Sequence, residues 1–368
     1  MRTEREQIEA LTRVCVDDLL SGFGLGGLRR GRRFLEWLSR VPAQRVAREI
    51  ASYDRVVGES GLSAGGAWAL ERMVGRVEIE GRERVPTEGS LLLLSNHPGL
   101  ADAVALFSSI PRPDLRVVAA QWPLLDALPN TSRYLITVAK ASSNRIAVLK
   151  SAAGHLKRGG AVLNFPAGRL EPDPALLPGA VESLERWSTS VDLFARLAPD
   201  LTVVPVAVSG VFSPIALRNP LTYLRRREED RWWLASNLQM LVPALRNVTM
   251  RVTFGVPVRA ADAGDAVSQR VLVEMRRLIE RSAHSSGARK EIDVTDAERR
   301  TSGGDQLAPS FEPVEDFRLR EIADLACRSG PARQNLGLDC AIRQAVRHRL
   351  GVGHAVALET RCEHKDVG

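Results

Sequence analysis

A histidine and an aspartate five residues apart are the side chains of this sequence best suited to acid–base chemistry. His97 follows the apolar run of residues 91–94, and Asp102 opens a predicted helix. Four leucines without alternation predict a strand covered on both faces, and residues 96–99, Asn-His-Pro-Gly, cannot continue it because proline lacks an N–H and glycine favours turns. We therefore expect His97 on a turn, with Asp102 holding one ring nitrogen while the other faces a cleft.

Short apolar runs separated by helical patterns predict the elements that position this pair. Strands are predicted at residues 77–79, 91–94, 115–119, 134–138, 161–164, 202–208 and 248–254, and helices at about 143–158 and 266–281. Strands that alternate with helices indicate an α/β fold.

Changes in composition divide the chain into four parts. Residues 1–75 are a helical, basic and amphipathic segment, and residues 76–283 form the core domain. The polar, glycine-rich residues 284–312 predict a flexible linker. Residues 313–368 form a C-terminal tail, and the sequence assigns no role to it.

The N-terminal segment mixes apolar side chains with arginines over residues 18–41, and its glycines at 22, 24, 26 and 27 predict two helical pieces. Such a segment could lie in a bilayer interface. It could equally be a helical pair packed on the core domain with its arginines in water.

A long connection, residues 211–247, joins the last two predicted strands of the core domain. It contains three consecutive arginines at 225–227 and the pair Trp232-Trp233. Arginine beside tryptophan suits an interfacial membrane anchor, and packing in the core is the alternative for the tryptophans.

Charge and composition limit the classes of function that the protein can have. The net charge of +7 and the pI near 9.7 favour an anionic partner such as nucleic acid, acidic lipid headgroups or a phosphate-bearing substrate, or serve only solubility. No apolar stretch is long enough to span a membrane and the first residues lack the apolar core of a secretory signal, so we expect a cytoplasmic protein. The cysteines have no metal-ligand spacing, which predicts reduced thiols and no metal: Cys15, Cys327, Cys340 and Cys362.

Two further strand-end loops follow the histidine loop. One apolar run ends in Phe165-Pro166-Ala167-Gly168-Arg169, and another carries the segment Val-Pro-Val at 204–206. The order Asn-His-x4-Asp, Phe-Pro-x-Gly-Arg and Val-Pro-Val resembles the glycerolipid (lysophospholipid) acyltransferase family over about residues 76–258. The resemblance implies a mixed, mostly parallel sheet flanked by helices, with residues 76–283 as the acyltransferase domain.

The resemblance also implies roles for individual residues. His97 acts as general base and Asp102 orients it, while the third motif helps to bind the polar head of the acceptor. The residues implied in substrate binding are Asn96, Phe165, Pro166, Gly168, Arg169, Lys140, Arg145 and Pro205. Arg169 suits a phosphate because its guanidinium fork matches phosphate oxygens, and pairing with a surface acid such as Glu171 or Asp173 is the alternative.

Three positions depart from the family pattern. Ala167 replaces the usual glutamate, Arg169 follows Gly168 directly, and Gly99 stands where serine is common. These changes leave the His97–Asp102 pair intact and leave the acceptor open.

The predicted function is transfer of a fatty acyl group from acyl-CoA or acyl-carrier protein to a hydroxyl of a lysophospholipid-like or other lipid acceptor. The thioester is already activated, so neither a cofactor nor an acyl-enzyme is needed. The expected partners are the thioester donor, the lipid acceptor and the inner face of the cell membrane, where the protein would be peripheral; nucleic acid is not expected. A silent lipid-binding relative of the same fold is the first alternative, and a basic nucleic-acid-binding protein is the second.

Overall fold

A mixed sheet forms the centre of the part of the chain that the structure describes. The computed structural model describes residues 4–28, 30–138, 145–188 and 190–301 of the chain. Its strands are β1 (Arg76–Glu80), β2 (Leu91–Ser95), β3 (Arg116–Ala120), β4 (Leu135–Val138), β5 (Ala161–Asn164), β6 (Thr202–Ser209), β7 (Thr249–Phe254) and β8 (Val258–Arg259). Every predicted strand is present, and β8 is an additional short strand.

Helices cover both faces of this sheet. They are α1 (Glu4–Gly22), α2 (Arg32–Met73), α3 (Ala101–Ser109), α4 (Pro123–Asp126), α5 (Arg145–Lys157), α6 (Ser190–Leu197), α7 (Pro214–Leu217), α8 (Glu228–Leu241), α9 (Ala260–Ala263) and α10 (Val267–Thr301). Short 3-10 turns connect several of them.

The strand order is β1-β7-β6-β2-β5-β3-β4, with β8 paired to β6. Strands β6, β2, β5, β3 and β4 are parallel to one another. Strand β7 runs antiparallel to β6 and parallel to β1. The predicted fold class, a mixed and mostly parallel sheet flanked by helices, is confirmed.

Strand β2 lies in the middle of the parallel part and is covered on both faces. Its four leucines are at most 3% exposed. Leu91 and Leu93 pack in one core layer, and Leu92 and Leu94 pack in the other. This is why the leucine run has no polar alternation. The register pairs Leu94 with β5 on one side and with β6 on the other, so the carboxyl ends of three strands lie side by side.

The N-terminal helices α1 and α2 form a packed pair. The glycine-rich break predicted between them is present, and Gly24 and Gly31 have φ values of 77° and 79° there. Apolar side chains of α1 pack against the alanines of α2 at positions 43, 47 and 51. Farther along α2, a Cβ on Gly66 would lie 2.9 Å from both the carbonyl of Val104 and the Cβ of Phe107, so α2 packs directly on α3. The helical pair therefore supports the helix that carries Asp102.

The connection between β6 and β7 contains α7 and α8. Trp232 and Trp233 of α8 are half-buried, and the Trp233 ring packs edge-on against Trp122 at a centroid distance of 5.7 Å. Packing therefore accounts for this tryptophan pair.

Helix α10 is longer than predicted. It continues past residue 281 through Thr301, so the described part of the predicted linker, residues 284–301, is helical and the linker prediction is wrong there. The reason is composition: after Gly287 the segment is rich in Ala, Arg, Lys and Glu, which are good helix formers. The rest of the linker and the predicted tail lie outside the described residues.

Candidate active site

His97 and Asp102 form a hydrogen-bonded pair at the carboxyl end of β2. His97 Nδ1 lies 2.8 Å from Asp102 Oδ2. The aspartate is in the first turn of α3, is fully buried, and also accepts hydrogen bonds from the backbone N–H groups of Gly99 at 3.1 Å and Ala103 at 2.6 Å. Since these donors and the positive end of α3 favour a carboxylate, Nδ1 carries the proton and Nε2 is the free acceptor.

The imidazole of His97 is held between protein and solvent. Its side chain is 28% exposed, and its ring packs against the Phe165 ring at a centroid distance of 4.6 Å. Burial lowers the pKa of His97, but the charge and hydrogen bond of Asp102, together with the charge of Glu171, raise this pKa above its usual value. The two carboxylates therefore favour the protonated form of the imidazole.

Asn96 anchors the histidine loop to β6. Its side-chain amide donates to the carbonyl of Val208 and accepts from the N–H of the same residue, both at 2.8 Å. The side chain is 1% exposed. Ser95 is also fully buried, and its hydroxyl donates to the carbonyl of Asn96 at 2.9 Å. Asn96 thus extends the pairing of β2 with β6 beyond the last strand residue.

The loop after β5 lies beside the histidine. Its turn is closed by a 3.1 Å hydrogen bond from the N–H of Gly168 to the carbonyl of Phe165, and Gly168 has φ +63°, which favours glycine. The next side chain, Arg169, is 56% exposed and reaches Glu229 of α8 at 3.4 Å. Arg169 therefore pairs with a surface acid, as the alternative expected, but this acid is Glu229; Glu171 and Asp173 are buried and bonded elsewhere.

Asp173 fastens this loop to the end of β6. It is fully buried and accepts hydrogen bonds from the N–H groups of residues 175, 210, 211 and 212 at 2.9, 2.9, 2.6 and 3.4 Å. Burial raises its pKa, and the backbone donors counteract that rise.

Glu171 is the residue near the dyad that sequence reasoning missed. Its carboxylate is 2% exposed and accepts the backbone N–H of His97 at 3.0 Å. Nothing in the local pattern distinguishes it, because an acid between a leucine and a proline is also typical of a surface loop. The usable signal was only its closeness in sequence to the Phe-Pro-x-Gly motif.

Gly99 is required by close packing. A Cβ at this position would lie 2.8 Å from Cγ1 of Val211, which follows β6. A serine there would need a shift of Val211, so the glycine in the histidine loop and the valine after β6 are matched.

The remaining predicted substrate residues have other positions. Pro166 is buried, and its carbonyl lies 3.3 Å from the N–H of Ser188. Pro205 is buried within β6, where its carbonyl accepts the N–H of Gly255 at 2.8 Å. Arg145 begins α5, whereas Lys140 lies outside the described residues. Among the described residues, no group of three His, Cys, Asp or Glu side chains could hold a metal ion.

The structure is an α/β domain with the hydrogen-bonded pair His97 and Asp102 at the carboxyl edge of its parallel strands. Residues 76–209, from β1 to the end of β6, match the Acyltransferase family model. The matched residues include the three motifs on which the predicted family resemblance depends.

The crystal structure of the 1-acyl-sn-glycerophosphate (LPA) acyltransferase, PlsC, from Thermotoga maritima is similar over 75% of this chain and 92% of its own, with 17% identity and a TM-score of 0.41. No curated protein sequence matches the chain.

Proposed function

We propose that this protein transfers a fatty acyl group from acyl-CoA or acyl-carrier protein to a hydroxyl group of a lysophospholipid-like or other lipid acceptor. The observation that carries this proposal is the His97–Asp102 pair. The buried Asp102 carboxylate accepts three hydrogen bonds, and one of them comes from Nδ1 of the partly exposed His97. This geometry leaves Nε2 of His97 to take the proton of an acceptor hydroxyl.

The reaction then needs no covalent enzyme intermediate. As the acceptor oxygen attacks the thioester carbonyl carbon, its proton moves to Nε2 of His97, and Asp102 stabilises the imidazolium. The tetrahedral intermediate collapses with breakage of the carbon–sulfur bond, and the thiolate takes the proton from His97. The ester and the free thiol are released, and no resident cofactor takes part.

Arg169 is the proposed ligand for a phosphate on the acceptor. It extends from the exposed Gly168 turn beside Phe165, which itself contacts the His97 ring. It pairs with Glu229 at 3.4 Å, and this exposed ion pair contributes little free energy, so a phosphate can replace it. A guanidinium at this point would orient a phosphate-bearing acceptor toward the base.

An acceptor panel tests the function directly. The purified protein is incubated with acyl-CoA and, separately, with lysophosphatidic acid, other lysophospholipids and phosphate-free lipid alcohols, and free thiol and product mass are followed. We expect thiol release that depends on the acceptor and yields its ester. Vesicle binding without thiol release, for acyl-CoA and acyl-carrier protein alike, would instead support the silent lipid-binding alternative.

Two variants test in this panel whether Arg169 binds the phosphate of the acceptor. Arg169→Ala should raise KM for a phosphate-bearing acceptor about tenfold or more, because a hydrogen bond to a charged group contributes about 1.5–3 kcal/mol. The same variant should leave KM for a phosphate-free acceptor unchanged. Glu229→Gln, which frees Arg169, should not raise KM for the phosphate-bearing acceptor.

A stripe of exposed apolar side chains on α2 is the proposed membrane contact. Phe34, Trp37, Leu38 and Val41 are 63%, 68%, 57% and 76% exposed. Their spacing places them on one helix face, and exposed arginines at 30, 33 and 40 flank them. Apolar side chains beside arginines match an interface of anionic lipid, where each cation contributes about 1 kcal/mol.

A second exposed apolar group lies in the connection after β6. Ile215, Leu221, Tyr223 and Leu224 are 69%, 41%, 64% and 66% exposed. The guanidinium of the next residue, Arg225, occupies the space that a Cβ on Gly24 would need, in the loop that leads into α2. We propose that both groups face the cytoplasmic leaflet, with the protein peripheral to the membrane. Within the described residues, no helix is long and apolar enough to span a bilayer.

Removing the α2 stripe should weaken vesicle binding. The variant Trp37→Ser/Leu38→Ser loses two exposed apolar side chains, and we expect at least about a tenfold loss of affinity for vesicles of anionic phospholipid, measured by cosedimentation. Val273→Ser is the matched control, because Val273 is 71% exposed on α10. Equal binding by the double variant and the wild type would contradict this membrane contact.

A further inference from the structure

The buried Glu171 makes two hydrogen bonds with the backbone of His97, accepting one and donating the other. The N–H of His97 donates to Oε2 of Glu171 at 3.0 Å, and the N–H of Glu171 donates to the carbonyl of His97 at 2.9 Å. The two residues are 74 positions apart in the chain, in the loops after β2 and β5. This reciprocal bonding fixes the main chain of the histidine against the neighbouring loop.

The other carboxylate oxygen of Glu171 is anchored from the opposite side. Oε1 accepts the Trp187 indole N–H at 2.8 Å and lies 2.9 Å from the Ser183 hydroxyl, whose one proton is shared between Oε1 and the carbonyl of Ala180 at 2.7 Å. Glu171, Ser183 and Trp187 are 2%, 4% and 8% exposed. A carboxylate with three polar partners has little freedom to rotate, so its position is set by the fold.

The contact also aligns the two halves of the candidate site. The loop that carries Glu171 begins at Phe165, whose ring packs on His97, and it includes the exposed Arg169. Moving Glu171 would therefore shift the histidine relative to both the ring that covers it and the proposed phosphate ligand.

We propose that Glu171 is a positioning residue for acyl transfer: it holds the main chain of His97 in place and contributes a second buried negative charge, beside that of Asp102, to stabilise the imidazolium. The proposal rests on the proposed function of His97 as general base. Glu171 thereby supplies a carboxylate to the Phe-Pro-Ala-Gly loop, in which Ala167 stands where the family motif has glutamate.

The sign of the pH effect follows from the charges around His97. Asp102 on α3 and Glu171 on the loop after β5 are the charged groups that act on it among the described residues, and both raise its pKa. Burial raises the pKa of Glu171 itself, and its hydrogen bonds and the charge of His97 counteract this. A general base works when neutral, so kcat/KM should rise with pH through the raised pKa of His97. Loss of the Glu171 charge should move that rise to lower pH.

The test removes the charge while keeping an acceptor for the His97 N–H. In Glu171→Gln alone, the new amide NH2 would face either the His97 N–H or the Trp187 N–H, since both are donors. The double variant E171Q/W187F removes the indole donor, so the amide oxygen can stay on His97 and the NH2 can donate to Ser183. The single variant W187F, which keeps the charge, is its reference.

The readout is the titration of the His97 imidazole by NMR, assigned from its loss in His97→Asn. We expect the midpoint in E171Q/W187F to lie at least about 0.5 pH unit below that in W187F, and the rise of kcat/KM to shift equally. Asp54→Asn is the control for removing a buried carboxylate outside this loop, and it should leave the midpoint unchanged. A midpoint shared by E171Q/W187F and W187F would overturn the proposal.

A measurement on the wild type keeps the proposal testable if the double variant does not fold. The side-chain carboxyl carbon of Glu171 should show a chemical-shift step at the His97 midpoint, and the absence of that step would also overturn the proposal. Both NMR results are independent of turnover. An inactive protein with the expected shifts would contradict the proposed function and leave the electrostatic coupling standing.

Discussion

Replacing His97 with alanine should lower kcat for acyl transfer by about a thousandfold, because a positioned general base contributes about 10²–10⁴-fold. The fold should persist, since Asp102 keeps the backbone N–H donors of Gly99 and Ala103 when the imidazole is gone. The measurement is thiol release at saturating acceptor, with thermal unfolding followed in parallel.

The matched control is His284→Ala, which removes an exposed histidine from α10. That variant should keep wild-type turnover. If His97→Ala kept more than about a tenth of the wild-type kcat while folded, His97 would not be the base.

Asp102→Asn should lower kcat by about 10²–10⁴-fold, although a side chain of similar size still occupies the position. Oδ1 accepts from Ala103, and Oδ2 accepts from Gly99 and His97, so an asparagine NH2 meets a donor whichever way the amide lies. If the NH2 faces the imidazole, Nδ1 becomes the acceptor and the proton moves to Nε2. The nitrogen that should accept the substrate proton is then blocked.

Nitrogen NMR of the imidazole reports the tautomer of His97 in this variant. Asp54→Asn serves as the control, because Asp54 is another buried aspartate, bonded to the N–H and hydroxyl of Thr131 and remote in sequence from the dyad. It should lower the free energy of unfolding and leave the tautomer unchanged. A folded Asp102→Asn variant with wild-type kcat would remove Asp102 from the mechanism.

Much of the sheet could be predicted because its signals are local. Strand β2 is readable from four leucines, since a strand buried on both faces has no polar position. The helical extension of α10 was missed because serine and glycine at its midpoint suggest a linker, whereas the residues that follow are helix formers.

Surface exposure was harder to predict than secondary structure. The Trp232-Trp233 pair was a candidate membrane anchor, yet Trp233 packs on Trp122. The exposed apolar residues of the same connection include Ile215 and Leu224, which no pattern singled out. Which side of a helix meets another element depends on tertiary packing, and composition does not report it.

The sequence by itself determined the dyad and the strand that delivers it. His97 and Asp102 are five residues apart on one turn and one helix start, so local geometry alone brings them together. Only the tertiary structure decided that Glu171 reaches the backbone of His97, that Asp173 holds the end of β6, and that Arg169 extends toward Glu229. These contacts join loops far apart in the chain, because the parallel register of β2, β5 and β6 places their carboxyl ends at one edge of the sheet.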